Sequence, residues 1–170
     1  MDLMRAILDG IAISAIFNGA VAVLALINPR YFFDSYPKAI QKAAPEKMTK
    51  KEKKINLVLT ILICGICFIY SAASLLHTGI SGFWNLFWMG YFQWSILNLG
   101  DFFLLDCLLF QGKHKDKMVI PGTEGHPDYE FGNWMRHLAI MEHFVVTPFL
   151  IIPFVAVIQA LIVGLLVCNL

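Results

Sequence analysis

The chain has 170 residues, 58% of them hydrophobic and 15% charged, with a mean hydropathy of +0.68. Soluble domains carry about 25% charged and about 45–50% apolar residues, so the composition excludes a disordered segment, a nucleic-acid binder and a water-soluble domain. The net charge of +1 names no partner, and four cysteines without a long soluble segment exclude a disulfide-framed scaffold.

A membrane-crossing helix needs about 20 mostly apolar residues, because unpaired backbone groups are not tolerated in hydrocarbon. Four stretches qualify, at about 4–27, 55–77, 83–110 and 134–168. The first is closed by Asn28-Pro29, a pair that stops a helix. It is too long for a signal-peptide core, carries Asp9 and Asn18, and no small-x-small site follows it, so it reads as a retained span. The third and fourth exceed what the bilayer requires, which predicts tilt and, in the fourth, kinking at Pro148 and Pro153. The expected fold is an all-α four-helix transmembrane bundle forming one domain over residues 1–170. Loops 28–54 and 111–133 then share one side, and the uncharged turn 78–82 lies on the other.

Orientation follows from charge. Of 13 Lys and Arg, eight fall between Arg30 and Lys54 and four between Lys113 and Arg136. Basic residues near span ends stay in the cytoplasm, so both loops are expected there and both termini on the non-cytoplasmic side of a multi-pass plasma-membrane protein. Residues 38–54 hold seven Lys against two Glu, a charge that also attracts anionic membrane lipid, at about 1 kcal/mol per basic residue near the surface. Tyr31, Phe32, Phe33 and Tyr36 just before it are expected to lie along the bilayer interface. Trp84, Trp88, Tyr91 and Trp94 crowd the outer end of the third span, where amphipathic rings favour the headgroups.

The second loop differs in kind. Pro121, Gly122, Gly125, Pro127 and Gly132 alternate with Glu124, His126, Asp128, Tyr129 and Glu130. Glycine and proline at that density specify turns of defined geometry, so the loop is expected to fold over the inner mouth of the bundle.

Ionisable side chains inside the spans carry the functional argument. Each costs about 2.5–3.5 kcal/mol at a span centre and so faces other helices, a partner or a water-filled cavity. In the third span Trp94, Asn98, Asp101 and Leu105 fall on one α-helical stripe, with Asp106 about 140° away from Asp101. In the fourth, Arg136, Ile140, His143 and Thr147 share a stripe, with Glu142 adjacent. Asp101 and His143 each lie roughly 14 Å from the inner ends of their helices, and Asn18 reaches a similar depth. The expected construction is a polar chamber in the cytoplasmic half. Asp101, Asn98, Glu142, His143 and Asn18 would lie inside it, with Asp106, Arg136 and His137 at its neck.

Three functions compete for that chamber. It would bind, and in the fullest version act on, a hydrophobic or amphipathic small molecule. Asp101, Glu142 and His143 would then divide acid and base roles, with Asn98, Asn18, Trp94, Asp106 and Arg136 as binding groups. A divalent metal is the cofactor these side chains would suit, with His137, His143 and Asp101 as ligands, although no familiar ligand spacing is present. Alternatively, the same groups form a proton or cation relay in an oligomeric transport unit, whose weakness is an outer half offering mainly Ser71, Ser74, His77, Asn85, Gln93 and Asp9. In the third reading, pairs such as Asp106 with Arg136 and Asp101 with His143 are polar glue in an accessory subunit of a larger membrane complex.

Other features carry less. Cys64-Gly65-Ile66-Cys67 has redox spacing but lies inside a span, where a thiolate is disfavoured, and helix packing at Gly65, Ala72 and Ala73 explains it as well. Cys107 and Cys168 stand alone, and His114 lies among Lys113, Lys115 and Lys117 as a solvated residue. No phosphate-cradling loop, nucleophile elbow or zinc-finger spacing occurs.

Overall fold

Capping chemistry sets where the helices begin. Asp2 accepts the backbone N–H of Arg5 at 3.0 Å and opens the first long helix, Leu3–Ile27. Thr49 and Glu52 form a reciprocal capping box that opens the second, Lys50–His77. This helix therefore starts within the lysine run, five residues before the expected 55. The third runs over Phe83–Leu109 and the fourth over Phe131–Val167. All four are long and apolar enough to cross a membrane. The computed structural model describes residues 2–113 and 115–168, of Cys168 the backbone alone, and contains no strand among them. The expectations for His114 and for the Cys168 side chain lie outside the described residues.

The third helix packs against both the first and the fourth. The first and third approach closely at Gly10, where a Cβ would meet the Cβ of Ile96 at 2.9 Å and the Gln93 carbonyl oxygen at 3.1 Å. At one end Ala6, Leu75, Leu86, Met89, Ala160 and Val163 form a common core. The start of the first helix, the end of the second, the start of the third and the end of the fourth thus meet, so the helices alternate in direction and both termini share that end. Trp84 and Trp88 are exposed there.

The two longer loops close over the opposite end. Residues Pro29–Ser35 form a tight 3-10 turn, followed by a short helix, Lys38–Ala43. Phe32, Phe33 and Tyr36, expected at the bilayer interface, are instead only 9%, 4% and 2% exposed. The turn folds them back under the bundle, where the Tyr36 ring meets Phe110, Tyr129 and Trp134 edge-on. The Tyr36 hydroxyl donates to the Met118 carbonyl at 2.7 Å and ties the first loop to the second. The second loop is ordered as its glycine and proline content predicts. Tyr129 accepts the Ile120 N–H at 2.9 Å, and Thr123 donates to the Ile120 carbonyl at 2.7 Å. Gly122 adopts φ 81° and lies so close to Pro45 that a Cβ would come within 2.5 Å of its ring.

Two helices depart from α geometry on the side that matters. Asp101–Leu109 in the third helix, and Met135–Ala139 and Glu142–Ile151 in the fourth, wind as π-helix. The Phe110 N–H accordingly reaches the Leu105 carbonyl, five residues back, at 2.8 Å. In the fourth helix Pro148 supplies a cause, since it lacks an N–H and its ring displaces the carbonyl four residues earlier. The Pro148 carbonyl, whose donor position five residues on is Pro153 and carries no N–H, accepts the Tyr91 hydroxyl at 3.2 Å.

Candidate functional site

A buried hydrogen-bond network joins the third and fourth helices near the loop end. The Asp106 carboxylate faces the Trp134 indole N–H at 2.7 Å and His143 Nε2 at 2.7 Å. His143 Nδ1 meets Asn98 Oδ1 at 2.8 Å, and the Asn98 amide donates to the His143 carbonyl at 2.9 Å. That second bond turns the Asn98 oxygen toward the ring, so Nδ1 carries a proton. One further proton is then shared between His143 Nε2 and Asp106, and the pair is neutral overall whichever holds it. Trp134 is locked in turn by the loops, stacked on Phe110 at 5.0 Å.

Beside this network lies a cavity of ≈ 160 Å³. Its walls include Asp101, Asp106, Glu142 and His143, with Tyr36 and Trp134 from the loop end and Phe17 and Ile63 from the first and second helices. Its rim carries Ser35 and Thr60, both exposed. A larger groove of ≈ 490 Å³ runs between the second and fourth helices, lined chiefly by Phe17, Phe68, Ile69, Leu97, Ile151 and Val155. Asp101 and Glu142 line both spaces. They stand where the apolar groove meets the cavity, and neither side chain makes a hydrogen bond or ion pair among the described residues. Outside the helices, burial holds the Tyr36 phenol well above its usual 10.0 and raises that of Tyr129. Tyr36 thus remains a donor to Met118 across the physiological range.

Several expected placements change. Asp101 and Asp106 border one cavity rather than pointing 140° apart, because π-helix turns about 82° per residue and brings residues five apart to within about 50°. Arg136 and Ile140 are exposed and do not share the face of His143. Asp106 therefore pairs with His143 and Trp134, not with Arg136, and Asp101 does not pair with His143. His137 binds Asp128 of the second loop at 2.9 Å, away from the cavity. Asn18 is buried, donates to Ser14 and borders a separate shallow groove with Leu104 and Leu108, so it is not a chamber residue. Trp94 turns inward to line the apolar groove and donates to Gln159 at 2.9 Å. Gly65 makes no close helix contact and faces the same groove, with nothing within 4 Å of a Cβ placed there.

The expected metal ligands are not assembled. Among the described residues no three His, Cys, Asp or Glu side chains are placed to hold an ion. Both ring nitrogens of His143 are engaged by Asn98 and Asp106, and His137 is held by the loop.

A second polar network occupies the half nearer the termini. Asp9 accepts from Arg5 at 3.0 Å, from Tyr70 at 3.4 Å and from the Ser74 hydroxyl. The Gln93 amide lies 3.5 Å from it, Ser71 donates to Gln93, and Gln159 donates to Ser71 at 2.7 Å. With Trp94 bonded to Gln159, a hydrogen-bonded chain runs from Arg5 to the edge of the groove. Gln159 was the missing link in the sequence, and its signal was a lone amide within an apolar run. Trp134 was readable as part of the second loop's motif, and only the structure joins it to Asp106.

No family model matches this chain, and no curated protein or solved structure matches it.

Proposed function

We propose that this chain is a multi-pass plasma-membrane protein that binds, and in the fullest version acts on, a hydrophobic or amphipathic small molecule. The molecule enters sideways from the lipid through the groove between the second and fourth helices. Its polar head reaches the cavity at the loop end, which lies in the cytoplasmic half of the bilayer. The observation that carries this reading is the shared position of Asp101 and Glu142, which border an apolar groove on one side and a polar cavity on the other. A site of few polar groups set in apolar walls is the usual build of a small-molecule pocket. The sidedness rests on the lysine-rich loops, which the positive-inside rule assigns to the cytoplasm and which leaves both termini opposite. In a catalytic version, Asp101 and Glu142 are the acid-base groups, and His143 with Asn98 and Asp106 positions the wall they share.

The test is native mass spectrometry of the protein released from mild detergent, compared with Gly65→Phe. A Cβ at Gly65 meets nothing within 4 Å and the residue lines the groove, so the new ring should enter the groove and block it. The expected result is a retained lipophilic molecule on the original chain and its loss from the variant. A bare protein in both cases, or a stable protein partner in place of a ligand, would refute the reading and favour the accessory-subunit role.

A transport unit is the second reading. It is favoured by the hydrogen-bonded chain from Arg5 to Gln159, which supplies polar continuity in the half nearer the termini. The chain ends at the Trp94 indole, which donates but cannot accept and so cannot pass a proton onward. Proton flux in proteoliposomes would reverse this ranking.

A further inference from the structure

We infer that the ligand of this site is a lipophilic amine, a molecule with a cationic head and an apolar tail; the inference rests on the groove-binding reading above. Charge at the junction is unbalanced. His143 and Asp106 form a pair that is neutral as a unit, fixed by the bonds to Asn98 and Trp134. Asp101 and Glu142 have no such partner and face the space where the groove and the cavity meet.

Apart from His143, whose charge Asp106 balances, the chain supplies no cation to this junction among its described residues. Every described lysine is exposed, as is Arg136. Arg5 is committed to Asp9 at 3.0 Å and Arg30 to Glu52 at 2.6 Å. His137 is held by Asp128. Carboxylates at a span interior are expensive unless a charge of opposite sign or a proton offsets them. A positively charged head between Asp101 and Glu142 would do so, and two carboxylates give it more than one acceptor. The Phe17, Phe68 and Trp94 rings that line the groove would receive the carbons next to the cation, and their faces attract positive charge as well. An anionic amphiphile would meet like charge at the same point. A neutral alcohol would gain only hydrogen bonds.

Decylamine, decanol and decanoate share one tail and differ in head charge, so they separate the ligand class from the existence of the site. Binding of each to the full chain in neutral-lipid nanodiscs is measured in excess of its binding to Gly65→Phe, which removes partition into lipid. The amine should bind about tenfold more tightly than the alcohol, a difference of about 1.4 kcal/mol. Asp101→Asn and Glu142→Gln, both nearly isosteric, should each reduce that preference while decanol binding persists, which also shows that the variants fold. Equal binding of amine and alcohol, or tighter binding of decanoate, would overturn the amine assignment and leave the groove site standing. No binding of any probe above the Gly65→Phe level would overturn the site itself.

Discussion

Replacing Asp106 with alanine should lower bundle stability by about 1–3 kcal/mol, a range set by two bonds. The carboxylate accepts from Trp134 and faces His143, each at 2.7 Å, and both partners belong to the fourth helix. Interhelical hydrogen bonds in bilayers average about 0.6 kcal/mol and reach about 1.7. Two of them give the stated range. The upper part is favoured because Trp134 and His143 are only 1% and 4% exposed, so neither polar group finds water when its partner is removed. Asp106→Asn keeps the shape, its amide oxygen able to accept from Trp134 and its NH2 able to donate to Nε2 of a neutral His143 protonated at Nδ1, so a smaller loss than for alanine is expected. A double-mutant cycle with Trp134→Phe isolates the indole bond and should return a coupling of about 0.5–1.7 kcal/mol. The assay is reversible unfolding from bicelles by titration with a denaturing detergent, followed by circular dichroism. A loss below about 0.3 kcal/mol for Asp106→Ala, within the scatter of ordinary surface changes, would refute the reasoning. It would mean that the third and fourth helices do not meet in this register.

Two further outcomes follow from the packing and the loop cap. Gly10→Ala should destabilise by about 1–3 kcal/mol, because the new methyl meets the Ile96 Cβ at 2.9 Å and a backbone oxygen at 3.1 Å, neither of which is a flexible chain end; the same unfolding assay measures it, and an unchanged midpoint would contradict the close approach. The fold keeps the Tyr36 phenol neutral above its ordinary 10.0, so its contribution is fully present below pH 10 and is lost as pH rises toward the raised value. Absorbance titration should therefore find Tyr36 ionising later than an ordinary tyrosine, as Tyr129 does too, together with release of the loops, and Tyr36→Phe should remove one of these late steps.

The four helices were legible because the bilayer demands them. Backbone groups in hydrocarbon must bond within their own segment, so length and apolarity alone locate the spans. The second helix begins earlier than hydropathy indicates because Thr49-Lys50-Lys51-Glu52 is a capping box, a signal of local hydrogen bonding that an apolarity count ignores. The aromatic run before it was misplaced for a related reason. Tyr31 to Tyr36 has the composition of an interfacial segment, but only the three-dimensional meeting of Tyr36 with Met118 and Trp134 decides that the rings turn inward.

The polar cluster was legible in part of its membership and not in its phase. Asn98, Asp101, Glu142 and His143 were recognisable because each is costly in lipid. Which of them meet depends on the turn per residue, and π-helix falls short of α-helix by about 18° at each step. From His143 back to Arg136 the error grows to roughly 130° if the widened turns ran throughout, enough to carry Arg136 from the predicted inner face to the exposed one it occupies. Trp134 and His143, nine residues apart, would stand on opposite faces of an α-helix but fall within roughly two π-turns of each other. Both reach Asp106 for that reason. Pro148 was the visible warning that the fourth helix would not keep α register. The third helix carries no proline, and its widened turns place Asp101 and Asp106, five residues apart, on one cavity wall. The charge of this site is therefore arranged by the winding of two helices, which leaves Asp106 paired and the Asp101 side chain without a partner among the described residues.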